Sequence, residues 1–240
     1  MAPAPKISPE QQEKLIIIAA VTAIEETSVL DFSMSSIAKQ AGISMGSVYK
    51  FVQSKEDVLI ALATRMYQER QKIFKQALSL PLTTPERIIA ISLLDHSKVR
   101  MYSFDDQLEN IVNTRAIMKR CSRRWLDQMI TCSQTCSAIF QNTLESAVNS
   151  GELTSGSRDI EEITLSTWSL AVGYFQIVRL HQNWRQEQAI VEEEHLPTLT
   201  LDNVHIKGLQ RLLNTYDWQE KVSKADIVKI CQCLETNGLR

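Results

Sequence analysis

Apolar positions follow helical spacing over almost the whole chain, with interruptions at 81–85, 151–156, Pro197 and 218–223. The first run, Leu15 to Ile24, is introduced by Ser8-Pro9-Glu10-Gln11, a cap followed by a proline at the first helical position. Met34, Ile37, Ala38 and Ala41 then recur at intervals of three and four behind Ser33, which predicts a short capped helix with one buried face. Gly42 follows at once and suits a left-handed helix end, and Ser44 caps a second short helix whose inward positions are Val48 and Val52. Ser54 with Asp57 resembles a capping box opening a long helix through Leu62, Met66, Ile73 and Ala77 to Leu80. Beyond it the pattern predicts helices from Pro85 to about Met101, Phe104 to Val112, Arg115 to Ser150, Arg158 to about Trp184, Asn203 to Tyr216 and Lys224 to Leu234. The fold class is therefore all-α.

Two short helices around a glycine turn, followed by a capped third, form a helix-turn-helix unit, an arrangement that holds one helix against DNA. The outward face of the second short helix carries Met45, Gly46, Ser47, Tyr49 and Lys50, which combine close approach, a hydroxyl, a phenol, a cation and a flexible apolar tip. Lys55 falls in the first turn of the next helix, where the dipole disfavours a cation unless an outside anion such as phosphate is present. No acidic residue occurs between Met34 and Lys55, against lysines at 39, 50 and 55.

The stretches Ile37-Ala38-Lys39-Gln40-Ala41-Gly42-Ile43-Ser44, Gly46-Ser47-Val48-Tyr49-Lys50-Phe51 and Ser54-Lys55-Glu56-Asp57-Val58-Leu59 resemble the DNA-binding domain of TetR-family transcriptional regulators over roughly the first quarter of the chain. Where that family commonly closes the recognition helix with phenylalanine, this chain has Val52. Residues 1–7, with two prolines, read as a disordered tail, and the resemblance implies a DNA-binding domain over 8–60 and an effector-binding and dimerisation domain over 61–240. It also implies a homodimeric, ligand-responsive repressor on a palindromic operator in double-stranded DNA. Candidate DNA contacts are Ser33, Ser35, Ser44, Met45, Gly46, Ser47, Tyr49, Lys50 and Lys55.

The helix from 158 to 184 has apolar residues around most of its circumference, so it needs cover on two sides. Together with the helix 203–216, where Gly208 permits close approach, it is the expected homodimer contact, a four-helix arrangement about a two-fold axis. An apolar or aromatic small-molecule effector is expected among Met101, Phe104, Leu108, Trp125, Met129, Cys132, Phe140, Trp168 and Phe175. No use is assigned to the last helix.

A net charge of −2 alters the picture only slightly: residues 1–60 hold 5 Lys and Arg against 7 Asp and Glu, which argues against indiscriminate DNA coating and for a small local basic face. The 44% hydrophobic content is ample for a core. Five cysteines without an export signal point to a reducing cytoplasm, and no run approaches the length of a membrane span. A second reading is a thiol-based redox or metal sensor using Cys121, Cys132 and Cys136, but Cys132 and Cys136 share an apolar stripe with Trp125, Met129 and Phe140 and suit a core better. The histidines at 96, 181, 195 and 205 form no zinc motif, no metal or cofactor is expected, and no catalytic motif is visible, so an enzyme is not expected. Arg115, Lys119, Arg120, Arg123 and Arg124 either attract an anionic ligand or partner, or form a solvated face paired with Asp105, Asp106 and Glu109. The solvated face is the preferred reading.

Overall fold

A computed structural model describes residues 8–186 and 198–240, so the expected tail and His195 lie outside the described residues. The helices are α1 (Pro9–Glu25), α2 (Met34–Ala41), α3 (Met45–Phe51), α4 (Lys55–Leu78), α5 (Thr84–Leu93), α6 (His96–Val99), α7 (Asp105–Val112), α8 (Arg115–Arg120), α9 (Arg123–Asn149), α10 (Ile160–Gln186), α11 (Val204–Leu213) and α12 (Lys224–Thr236). Among the described residues there is no strand, only an isolated antiparallel bridge between Leu153 and Trp218. None of these helices is long and apolar enough to cross a membrane.

Two expected helices end early. The helix from Pro85 stops at Leu93, because Leu94 is extended (ψ 145°) and Asp95 turns the chain, its carboxylate accepting from the Ser97 amide at 2.9 Å. The long helix expected from Arg115 breaks at Cys121, which is extended (ψ 143°). There the Ser122 amide donates to the Asp57 carboxylate at 2.6 Å, a charge-assisted bond that a continuous helix would forfeit.

The chain forms two compact units, one comprising residues up to Glu69 with Arg100–Gln134, the other Arg70–Val99 with Thr135–Arg240. In the first, Ile16, Ala20 and Ile24 of α1, Ile37 of α2 and Val48 of α3 share a core with Leu62 and Met66 of α4. Phe104, Leu108, Trp125 and Met129 belong to the same core, so α7 and the start of α9 are built into the N-terminal unit. Each fully buried Ile or Val here contributes roughly 1.5–3 kcal/mol through removal from water.

In the second unit, Ile89 and Leu93 of α5 pack with Ile206, Leu209 and Leu213 of α11 and with Ile230 and Leu234 of α12. α12, whose use the sequence leaves open, thus backs α5. Lys229 pairs with Glu86 at 3.0 Å, and Arg240 donates to the carbonyls of Leu93 and Leu199. His205, near the start of α11, is 2% exposed; its Nε2 lies 3.0 Å from Ser92 Oγ of α5 and its ring stacks on Tyr174 of α10 at 4.8 Å. Burial pushes this imidazole down to about 4. Gly208 is less constrained than its sequence position suggests, since a Cβ there would meet Leu170 at 3.8 Å, an ordinary contact. Along α10, Ile163 is buried, whereas Leu165, Trp168 (65% exposed), Val172, Ile177 and Leu180 are exposed.

Candidate nucleic-acid interface

Local chemistry dictates the shape of the helix pair. Ser33 caps α2, its hydroxyl accepting from the Ser36 amide at 3.0 Å, while Ser36 Oγ accepts from the Ser33 amide in return. The helix ends on Gly42 at φ 64°, ψ 28°, with the Ile43 amide donating to the Ala38 carbonyl and the Gly42 amide to the Lys39 carbonyl. That pairing requires a left-handed residue, which glycine supplies without steric cost. Ser44 then caps α3 through the Ser47 amide at 3.1 Å.

One face of α3 is anchored by Val48, and Val52 just beyond its end is equally buried, so the smaller side chain at the helix-closing position still reaches the core. The opposite face is open. Met45, Gly46, Tyr49 and Lys50 are exposed, Ser47 is half-buried, and Ser33, Ser35 and Ser44 are exposed beside them. Ser33 and Ser35 lie 2.9 Å apart between hydroxyl oxygens, and Ser44 and Ser47 lie 3.0 Å apart. Gly46 has helical geometry, and a Cβ there would meet nothing nearer than Ser44 Oγ at 3.8 Å. The fold therefore gives no reason for a glycine at this position.

Lys55 is half-buried; its ammonium donates to the Leu30 carbonyl at 2.7 Å and lies 4.6 Å from the centre of the Phe32 ring. An ammonium has three donors, so the pinned side chain retains capacity for a phosphate. Asp57 is completely buried and does more than the expected capping box. Its amide donates to Ser54 Oγ, and its carboxylate accepts from the amides of Gln53 and Ser122, tying the α3–α4 corner to the start of α9. Trp125 reinforces that tie: its indole N–H donates to the Phe51 carbonyl at 3.2 Å and its ring meets Phe51 edge-on at 5.2 Å. Sequence spacing offers no signal for the contacts of Asp57 with Ser122 and of Trp125 with Phe51, because each joins residues more than sixty positions apart.

Of the nine expected effector-lining residues, Phe104, Leu108, Trp125, Met129 and Cys132 are buried in the first unit, where Met101 is 42% exposed. Phe140, Trp168 and Phe175 belong to the second unit; Phe140 meets Phe74 edge-on at 5.9 Å, and Phe175 lies beside His96 and His205. Tyr102 is buried in the first unit, and its hydroxyl has no hydrogen-bond partner among the described residues.

The thiol-sensor alternative is not supported. Burial, with a further contribution from the neighbouring Asp57 carboxylate, pushes the Cys121 thiol up to about 12, and Cys132 is buried with its sulfur 3.8 Å from the Thr64 carbonyl. A reactive cysteine needs the opposite, a stabilised and accessible thiolate.

Residues 16–62 match the family described as bacterial regulatory proteins, tetR family. The fatty acid metabolism regulator protein of Bacillus subtilis (strain 168) is 47% identical over 47 residues, 20% of this chain. That match spans 24% of the length of that protein. The fold is similar to the transcriptional regulator FadR from Bacillus subtilis, solved in complex with stearoyl-CoA (TM-score 0.53, 21% identity, 82% of this chain and 97% of that one). It is also similar to a TetR/AcrR-family regulator from Thermobifida fusca (TM-score 0.54, 21% identity, 85% and 96%) and to AmtR from Mycobacterium smegmatis (TM-score 0.51, 16% identity, 100% and 99%).

Proposed function

The chain carries the DNA-binding domain of the tetR family of bacterial regulatory proteins, and from that premise we propose that it is a homodimeric, ligand-responsive transcriptional repressor acting on a palindromic operator. The observation that carries this reading is the open, acid-free face of α3, held by Val48 and Val52 and presenting Met45, Gly46, Ser47, Tyr49 and Lys50. Each protomer lays α3 in a major groove, with Met45, Gly46, Ser47 and Lys50 near base edges. Tyr49, Lys55 and the serines Ser33, Ser35 and Ser44 hold the backbone.

Dimerisation is supported by the exposed apolar stripe of α10, whose other side already packs on α11. A second copy presenting the same stripe covers it isologously. For the effector, the buried aromatic group of the first unit and the unsatisfied Tyr102 hydroxyl favour an apolar compound with a polar group able to meet that hydroxyl. Stearoyl-CoA, with which the Bacillus subtilis FadR was solved, is the first compound to screen, followed by other acyl-CoA thioesters. Effector and DNA bind competing states, so by linkage each weakens the other.

The test is selection from a random duplex pool with the purified chain, repeated with Tyr49→Ala and Lys50→Ala. Enrichment of one palindrome, weakened in both variants, is the expected result. Failure of the native chain to enrich any sequence over a range of salt sinks the proposal.

A further inference from the structure

Arg115 to Arg124 holds five cations and no acid, and the structure seats its C-terminal end, Arg120 to Arg124, beside the end of α3 and the start of α4. Arg124 lies 5.4 Å from the centre of the Phe51 ring, at the last residue of α3, and 5.1 Å from that of Trp125. Arg120 approaches Glu56, in the first turn of α4, at 3.6 Å. Arg115, Lys119, Arg120, Arg123 and Arg124 are all exposed.

The preferred sequence reading paired this segment with the acids of α7, and the geometry differs. Asp105 is buried, accepting from the amides of Met101 and Tyr102, while the ion pairs of the segment run to Glu56 and, from Arg123, to Asp127 at 2.9 Å. Arg123–Asp127 is an exposed pair of small net worth, while in the other pair Arg120 is exposed and Glu56 half-buried. Arg115 and Lys119 have no ion pair among the described residues. Set against Glu56 and Asp127, the five cations leave a net +3.

A recognition helix lies in the major groove with its N-terminal residues at the base edges, so a group beside its last residue, Phe51 in α3, stands toward the flanking phosphates. We propose that the segment Arg115–Arg124 is a second phosphate-binding surface for duplex DNA, adding sequence-independent contacts on the flank of the site read by α3. The inference rests on the DNA-binding function proposed above. It adds residues that lie far outside the stretch of the family match.

The measurement is the dependence of duplex affinity on salt, using the selected palindrome and a mixed-sequence duplex of equal length. Each lost phosphate contact lowers the slope of log K against log salt by about 0.9. Lys119→Gln with Arg123→Gln, which leaves Arg124 stacked on Phe51, is expected to lower the slope by about 1 to 2 on both duplexes while the preferred sequence stays the same. Adding Arg124→Gln lowers it further, and the charge-preserving set Lys119→Arg, Arg123→Lys and Arg124→Lys restores it. A native chain that binds the palindrome, with an unchanged slope in the folded double variant, overturns this proposal alone. A native chain that binds neither duplex overturns it together with the function it rests on. A loss of affinity with unchanged slope, or one tracking a lowered melting temperature, assigns the cations to packing and overturns it as well.

Discussion

Gly46 is a residue the protein's own packing does not require, and that is what makes it informative. Glycine within a helix costs up to about 1 kcal/mol relative to alanine, and the space around this one would accept a methyl group without conflict. Gly46→Ala is therefore expected to stabilise the free protein slightly, by about 0.5 kcal/mol, and to weaken operator binding by about tenfold, or 1.4 kcal/mol. Denaturant melts paired with duplex titrations check the opposite signs. If operator affinity is unchanged, no DNA backbone or base approaches that position. Tyr49 and Lys50 are exposed on the same helix, whereas Lys55 already has a partner in the Leu30 carbonyl.

At the level of elements, the joint of α5, α10 and α11 closes around a buried imidazole. His205 contacts Ser92 and the rings of Tyr174 and Phe175, and its lowered protonation point arises from burial alone. The unfolded chain takes up this proton near pH 6.5 and the folded one only near 4, so between those values the unfolded state binds more protons. Stability is accordingly retained above about pH 6.5 and lost as pH falls toward 4, by on the order of 3 kcal/mol. His205→Gln should flatten that part of the pH–stability curve; an equally steep fall in the variant would place the effect elsewhere. Helix starts of this kind were legible from sequence, because Ser8, Ser33, Ser44 and Ser223 are caps whose partners lie three residues on. The open face of α3 was legible for the same reason: 3.6-residue spacing separates Val48 from Tyr49 and Lys50. Breaks at Leu94 and Cys121 were not, since the latter is stabilised by Asp57, far away in sequence, and the apolar period runs straight through it. Nor could periodicity assign α7 and the start of α9 to the N-terminal unit. Leu108 and Trp125 look alike in sequence whichever core receives them.

At the scale of the whole molecule, the exposed apolar side of α10 is the surface on which the proposed dimer rests. A standard interface buries about 800 Å² per partner, and a helix carrying Leu165, Trp168, Val172, Ile177 and Leu180 on its open side, joined by the exposed Val204 of α11, offers apolar area for one. Trp168→Glu places a charge on that stripe in each protomer. It should yield a monomer by sedimentation with unchanged helix content, and palindrome affinity should fall far more than half-site affinity. A dimer that persists in the variant would move the interface to another surface.

The proposed dimer has a genetic consequence, because the residues of its contact are separate from those of α3. A chain damaged only at Tyr49 or Lys50 still pairs with intact copies. When the two are made in equal amounts, about a quarter of the dimers carry two working heads if pairing is random. A chain damaged at Trp168 pairs with nothing and leaves its intact neighbours alone. In the proposed dimer, lesions in α3 are thus expected to be dominant, and lesions in the α10 stripe recessive.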